Sequence, residues 1–254
     1  MIAAEPLRGG RLPAAHGFFT RLGGVSSGPY AALNCSLSGG DAPDSVLENR
    51  ARAARALGAA PDRLVGLTQV HGAAVVRVLE PWPPGAGPRA DAMVTDGAGL
   101  ALGVVTADCA PVLFADPEAA VIGAAHAGWR GAVGGVLEAT VAAMAALGAR
   151  RGRMVAAIGP CIAQASYEVG ADLRDAVLAG HPDHARFFAD GALPGRWQFD
   201  LAGYCAAKLA AAGVGLVECI GTDTCADEAR FFSHRRRTRR GEAPGGHQIS
   251  IIAQ

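Results

Sequence analysis

With 254 residues, half of them hydrophobic, the chain can bury one large core, and a single domain over residues 1–254 is expected. Its 23 basic and 23 acidic side chains cancel, which leaves no global field to attract nucleic acid or an acidic membrane. No apolar run of about 20 residues could span a bilayer. The N-terminus, Met1-Ile2-Ala3-Ala4-Glu5-Pro6, lacks a basic segment followed by an apolar core, and six Cys are scattered through the chain. Both features fit a protein of the reducing cytoplasm with free thiols.

Residues 17–43, rich in Gly, Ser, Pro and Asn, predict a long ordered loop. Ser45 precedes Glu48 by three positions, a capping-box pattern, and the helix it opens is expected to stop at Gly58. Apolar, β-rich stretches follow at 64–70 and 73–79, and four Pro within 80–90 mark a surface excursion. Short apolar runs at 100–106, 111–115 and 120–125 have the character of buried strands. From Val133 the period becomes helical: Val133, Val136, Leu137, Thr140, Met144 and Leu147 share a face, and Gly148 can end it. Further strands are expected at 153–158 and 216–221, with helices near 171–179 and 201–212. The mixture indicates an α/β protein with buried sheets and reactive residues where strands meet loops.

Three residues stand out. His71, Cys109 and His126 occur in Thr68-Gln69-Val70-His71-Gly72, Thr106-Ala107-Asp108-Cys109-Ala110-Pro111 and Ala124-Ala125-His126-Ala127-Gly128-Trp129-Arg130-Gly131. Two imidazoles and a thiolate suit zinc, and three ligands rather than four leave a coordination position open. No short-motif spacing links them, since they lie 38 (109 − 71) and 17 (126 − 109) positions apart. Taken singly, each has a plain alternative as a packed Cys or a hydrogen-bonded His.

Read together, a longer set of segments resembles one family. These are His16-Gly17-Phe18-Phe19-Thr20-Arg21-Leu22-Gly23-Gly24-Val25-Ser26, Leu33-Asn34, Thr68-Gln69-Val70-His71, Ala90-Asp91-Ala92 and Ala107-Asp108-Cys109-Ala110-Pro111. They continue through His126-Ala127-Gly128-Trp129-Arg130-Gly131, Gly159-Pro160-Cys161-Ile162, Tyr167-Glu168-Val169, Phe199-Asp200-Leu201 and Phe231-Phe232-Ser233-His234-Arg235-Arg236. In this order they are similar to the YfiH-like family. Its members are described as laccase-like polyphenol oxidases, purine nucleoside phosphorylases with adenosine deaminase activity, and peptidoglycan editing factors. The resemblance implies an α/β (α+β) four-layer α-β-β-α sandwich with mixed sheets. It also implies metal and catalytic roles for His71, Cys109 and His126, and substrate contacts at Arg21, Asn34 and Arg130. Where many members carry Arg, this chain has His247, which puts an anion-binding role there in doubt.

The residues discriminate among the activities so named. A multicopper oxidase draws most ligands from His-x-His pairs, and this chain has seven His and no such pair. One zinc is the expected cofactor, with a single copper as the other ion that this donor set accepts. The expected substrates are a small purine nucleoside and phosphate, handled by a monomer or small homo-oligomer. Deamination at C6 of adenosine needs an activated water and an acid/base group. Asp108 is the nearest carboxylate to serve, unless loop amides hold it structurally. Phosphorolysis needs an anion site, and Arg130, in a Gly-rich turn before the helix from Val133, is the first candidate, with Arg21 second. The alternatives are a metal-free Cys–His hydrolase that edits peptidoglycan precursors, with Cys109 as nucleophile, a single-copper polyphenol oxidase, and a non-enzymatic metal or redox sensor using Cys109 and Cys161.

The remaining motifs have plainer explanations. Cys161, Trp129 and Phe231-Phe232 read at least as well as core residues. Arg235-Arg236-Arg237-Thr238-Arg239-Arg240 reads as a solvated loop or a substrate-anion clamp. His181-Pro182-Asp183-His184 reads as an exposed loop whose two imidazoles lack a third ligand.

Overall fold

The computed structural model describes residues 3–254; Met1 and Ile2, part of the N-terminal segment considered above, lie outside them. In chain order the elements are β1 (Pro6–Leu7), β2 (Ala15–Phe19), α1 (Pro43–Ala56), β3 (Leu64–Val65), β4 (Val75–Arg77), β5 (Ala92–Thr95), β6 (Ala101–Thr106), β7 (Ala110–Asp116) and β8 (Val121–Ala127). They continue with α2 (Trp129–Val133), α3 (Val136–Ala146), β9 (Val155–Ile158), β10 (Glu168–Val169), α4 (Ala171–Leu178), β11 (Phe188–Asp190) and β12 (Trp197–Phe199). The last are α5 (Leu201–Ala211), β13 (Leu216–Cys219), α6 (His234–Arg240) and β14 (Gln248–Ala253). None of these helices is long and apolar enough to cross a membrane.

Two mixed sheets form the body. One has five strands in the order β1-β2-β14-β6-β3, and the other has six in the order β13-β9-β7-β8-β5-β4. In the first, β14 lies antiparallel between β2 and β6, with Ser250 opposite both Phe18 and Val104, while β3 runs parallel to β6. In the second, the antiparallel core β9-β7-β8-β5 is flanked by parallel pairs at both edges. β10, β12 and β11 make a separate three-stranded sheet.

Both faces of the central strands are covered, which is why they read as continuous apolar runs rather than as alternating patterns. All seven residues of β7 are buried, and they divide by parity. Leu113 and Ala115 pack with Leu102, Val104 and Ile252 of the other sheet. Val112 and Phe114 pack with Leu137, Val141 and Leu209 of α3 and α5. A third cluster sets Ala53 and Ala54 of α1 against Phe19, Ile249 and Ile251. Three apolar seams thus separate α1, the five-stranded sheet, the six-stranded sheet and the α3–α5 pair.

Local differences from the sequence expectations have physical causes. Pro43 occupies the first turn of α1 and needs no N–H partner, so Ser45 lies inside the helix and caps nothing. The end is as expected, with Gly58 in the left-handed region at φ +75°. The helix foreseen over 133–147 is broken at Gly134-Gly135, where Gly135 has φ +92°; α3 still buries Val136, Leu137, Thr140 and Met144. The 17–43 loop begins later than expected, because Gly17, Phe18 and Phe19 belong to β2. The basic run 235–240 is helical: Ser233 caps α6 by accepting from the Arg236 N–H.

Candidate active site

His71, Cys109 and His126 come from three segments and meet. Their potential ligand atoms all lie within 4.8 Å of one another. His126 stands near the end of β8, paired with Pro111, and is 3% exposed. Cys109 occupies the turn between β6 and β7, its Sγ 3.8 Å from His71 Nε2. The two imidazoles meet edge to face at 4.7 Å between centroids. His71 sits on a loop at φ +59° and Asp108 on its turn at φ +88°. Two non-Gly residues held in the left-handed region beside one cluster are a mark of imposed geometry.

The His71 loop is tied down twice. The Gln69 side chain donates to the Val105 carbonyl and accepts from the Val105 N–H, both at 2.8 Å, which fixes the loop against β6. Asp91, fully buried, accepts from the backbone N–H groups of Val70, His71 and Gly72. The same carboxylate accepts from His126 Nδ1 at 2.8 Å. Burial alone would raise its pKa, yet the His126 ring and the amides of Gly72 and His71 hold it below the usual carboxylate range. Sequence reasoning assigned Asp91 no role. The sequence signals were a carboxylate between apolar residues, in Ala90-Asp91-Ala92-Met93-Val94, and the place of Ala90-Asp91-Ala92 among the family-like segments.

This arrangement fits a metal ion. With Nδ1 donating to Asp91, His126 turns Nε2 towards Cys109 and His71, the carboxylate–histidine orientation typical of metal-binding imidazoles. Burial raises the Cys109 thiol, but the charge of His126 and hydrogen bonds from both imidazoles outweigh it and bring the pKa down to about 6. Burial disfavours a charged His126, but the Cys109 thiolate and the Asp91 hydrogen bond raise its pKa to about 9. Gly128 keeps the centre open. A Cβ there would lie 2.9 Å from both Cys109 Sγ and His71 Cδ2.

The other expected residues fall in varied places. Asp108 accepts from Thr224 Oγ1, Ser233 Oγ and the Arg235 N–H, so its carboxylate braces the Cys109 turn against the segment that opens α6. Arg130 is exposed on the cavity rim, its guanidinium over the Trp129 ring at 4.4 Å. Its helix α2 has only five residues, so the long helix dipole expected behind it is missing. Arg21 donates to the Ala31 and Glu228 carbonyls and stacks on Phe232 at 4.6 Å; it lines a neighbouring cavity. Asn34 is fully buried and lines neither cavity. It donates to Asp41 and accepts from the N–H groups of Ser36 and His247, so it shapes the loop behind the site instead of facing a substrate.

Cys161 is a buried core residue with its thiol pushed up by burial. Phe231 and Phe232 are also buried. The 181–184 segment departs from expectation: it opens a short helical turn, and the Asp183 carboxylate does stand with both imidazoles, within 4.8 Å.

The cluster opens into a cavity of about 720 Å³. Its wall carries Arg50, Arg130 and Arg235, and one carboxylate, Asp108. Arg235 donates to the Glu168 carbonyl and lies over the Tyr167 ring at 5.0 Å, which turns part of the basic run towards this space.

The chain resembles characterised proteins along most of its length. It is 47% identical over 238 residues to a purine nucleoside phosphorylase of Deinococcus radiodurans, covering 91% of this chain and 87% of that one. It is 40% identical over 221 residues to the purine nucleoside phosphorylase YfiH of Escherichia coli, covering 85% and 86%. The crystal structure of YlmD from Geobacillus stearothermophilus superposes with a TM-score of 0.89 at 31% identity over 99% of each chain. The family profile described as multi-copper polyphenol oxidoreductase laccase matches residues 15–254, and this chain belongs to that laccase-like, YfiH-containing family.

Proposed function

We propose that this chain is a metal-dependent purine nucleoside enzyme. It cleaves adenosine, inosine or methylthioadenosine with phosphate and more slowly deaminates adenosine to inosine. The observation that carries the proposal is the shared cavity. The His71–Cys109–His126 cluster faces a space with three arginines and a single carboxylate already hydrogen-bonded to three donors. That wall suits a dianionic co-substrate beside a neutral nucleoside. The names of the Deinococcus and Escherichia relatives agree with its purine nucleoside phosphorylase part.

His71, Cys109 and His126 would hold a zinc ion, or a copper, which when bound supplies a Lewis acid with an open position. Asp91 fixes the His126 ring and its tautomer, and through the 70–72 amides it fixes His71. In phosphorolysis a phosphate oxygen forms a bond to C1′ as the C1′–N9 bond breaks. The bonding pair leaves with the purine, which takes the proton of hydrogen phosphate. In deamination water adds at C6, ammonia leaves with the C6–N bonding pair, and a proton passes from the water to the amine. Trp129 and Tyr167 line the same space and offer faces for a purine.

Chromatography of adenosine incubated with purified protein, with and without phosphate, tests the proposal when paired with metal analysis. Adenine and ribose 1-phosphate are expected with phosphate, and slow inosine formation without it. Absence of both products overturns the purine assignment.

One observation favours a second reading. Cys109, His126 and Asp91 form a line in which the thiol is acidified and the imidazole is held by a carboxylate, as a Cys–His hydrolase requires. Such a site would edit peptidoglycan precursors in two steps: the Cys109 thiolate forms a thioester as the amide C–N bond breaks and the amine leaves with a proton from His126, and water then hydrolyses the thioester to the acid and the thiol. Cleavage of a peptidoglycan precursor that survives chelation and stops on thiol alkylation would favour it.

A further inference from the structure

We propose that Arg50, Thr106 and His247 form a subsite for inorganic phosphate on the wall of this cavity, an inference that rests on the phosphorolysis reading above. Arg50 projects from α1 and is 6% exposed, yet no carboxylate lies within 4.0 Å of it among the described residues. Its one protein hydrogen bond runs from Nη1 to the Cys35 carbonyl at 3.2 Å. A guanidinium has five N–H donors, and burying it without a counter-charge is unfavourable unless something supplies the missing charge. Such a group is a binding device more readily than a brace.

Two further buried polar groups lack partners on the same wall. Thr106 is 1% exposed and its Oγ1 makes no hydrogen bond; His247 is half-buried, and its buried Nδ1 makes none either. A hydroxyl and an imidazole nitrogen can each donate to an oxyanion, and Arg50 can donate in a fork. One side of the guanidinium packs against the backbone, which fixes where it lies. Gly66 passes so close that a Cβ there would stand 3.0 Å from Arg50 Nη2. Asp108, the only carboxylate on the wall among the described residues, is occupied by Thr224, Ser233 and the Arg235 N–H, so it does not neutralise Arg50.

Calorimetric titration of the full-length protein with inorganic phosphate at constant ionic strength tests this. Arg50→Met should weaken phosphate roughly 10- to 150-fold, the range of a charge-assisted contact, and Arg50→Lys should recover part of the loss. Thr106→Val, which preserves shape, should weaken it about 2- to 10-fold. Phosphate should raise the melting temperature of the unmodified protein and not that of Arg50→Met. In turnover, the KM for phosphate should rise in Arg50→Met and Thr106→Val while the KM for the nucleoside changes less.

A purely structural Arg50 gives a different pattern: Arg50→Met melts lower, and Thr106→Val binds phosphate as before. That pattern overturns the subsite. So does phosphorolysis with an unchanged phosphate KM in both variants, a result that would leave the proposed function standing. Arg50-dependent phosphate binding with no nucleoside consumed would support the subsite and sink the proposed function instead. Adenosine 5′-monophosphate is the rival source of the same chemistry; Arg50-dependent binding of it with no binding of inorganic phosphate overturns the proposal.

Discussion

Asp91→Asn isolates the group that joins the two imidazoles, because it preserves shape and removes only charge and one acceptor. In the native site Oδ1 accepts from the His71 N–H at 2.9 Å and from His126 Nδ1 at 2.8 Å, and Oδ2 accepts from the Gly72 N–H at 2.6 Å. An asparagine can satisfy only one side. With its oxygen in the Oδ1 place, its NH2 opposes the Gly72 N–H and leaves two buried donors facing each other. Flipped, its NH2 meets His71 N–H and His126 Nδ1. His126 can then accept there only by moving its proton to Nε2, which removes the lone pair that faces the cavity. Either way a buried group goes unpaired, at a cost of about 1–3 kcal/mol. In a chain of this size that lowers the melting temperature by about 2–12 °C. Loss of the orienting carboxylate should weaken zinc about 10- to 100-fold. Competition with a fluorescent chelator gives the affinity, and a thermal scan of metal-free protein gives the stability term separately. Zinc affinity within twofold of the unmodified protein would refute the claim that Asp91 sets the ligand geometry.

Three other outcomes follow from the same geometry. Gly128→Ala should lose most of its zinc while the sheet fold, read by circular dichroism, persists, because the new Cβ meets Cys109 and His71 at 2.9 Å; full zinc occupancy would contradict the packing described. In metal-free protein Cys109 should react with iodoacetamide along a curve rising near pH 6, since a lowered thiol pKa makes thiolate present above that pH, whereas Cys35, held up at about 12 by burial, should stay inert. A midpoint for Cys109 near 8.5 would refute the pairing with His126. Asp108→Asn should lower the melting temperature and loosen α6, seen as faster amide exchange at Arg235 and Arg236, since three donors lose a charged acceptor; unchanged exchange would contradict its role as a brace.

The ligand trio was legible because each member stands in a short segment where packing gives little other reason for a reactive side chain. Asp91 was not, because its importance lies in a contact across about twenty residues of chain with the amides of a loop that has no regular structure. Arg50 was hidden for a related reason: one turn after Val46, it reads as an ordinary solvated helix residue. Only the tertiary fold shows that Asn49 and Arg50 share the buried face of α1 with Ala53. Strands β6 to β9 were readable as apolar runs, whereas β2 was obscured by the Gly- and Ser-rich loop that follows it. β14 follows a Gly-rich stretch, and its place between β2 and β6 is set by pairing partners more than 140 residues away. The failed helix over 133–147 shows the limit of periodicity. Its apolar face was right, but Gly134-Gly135 let the chain turn between a short helix carrying Trp129 and Arg130 and a longer one packed on β8.

The two chemistries open to this centre are linked by one proton. Without a metal, the acidified Cys109 and the basic His126 form a thiolate–imidazolium pair between about pH 6 and about pH 9. The second proton of that imidazolium sits on Nε2, since Nδ1 donates to Asp91. A metal ion needs the same Nε2 lone pair, together with the same thiolate. Through this interval the thiolate is already formed, so the ion must displace the His126 proton, and affinity should strengthen as pH rises towards 9. Below about pH 6 the thiol proton must leave as well, and the dependence steepens. The carboxylate that prepares His126 as a ligand therefore also stabilises its competitor, the imidazolium. Asp91 does not choose between metal and ion pair; it holds the ring where either can form, and the supply of metal and protons decides which one does.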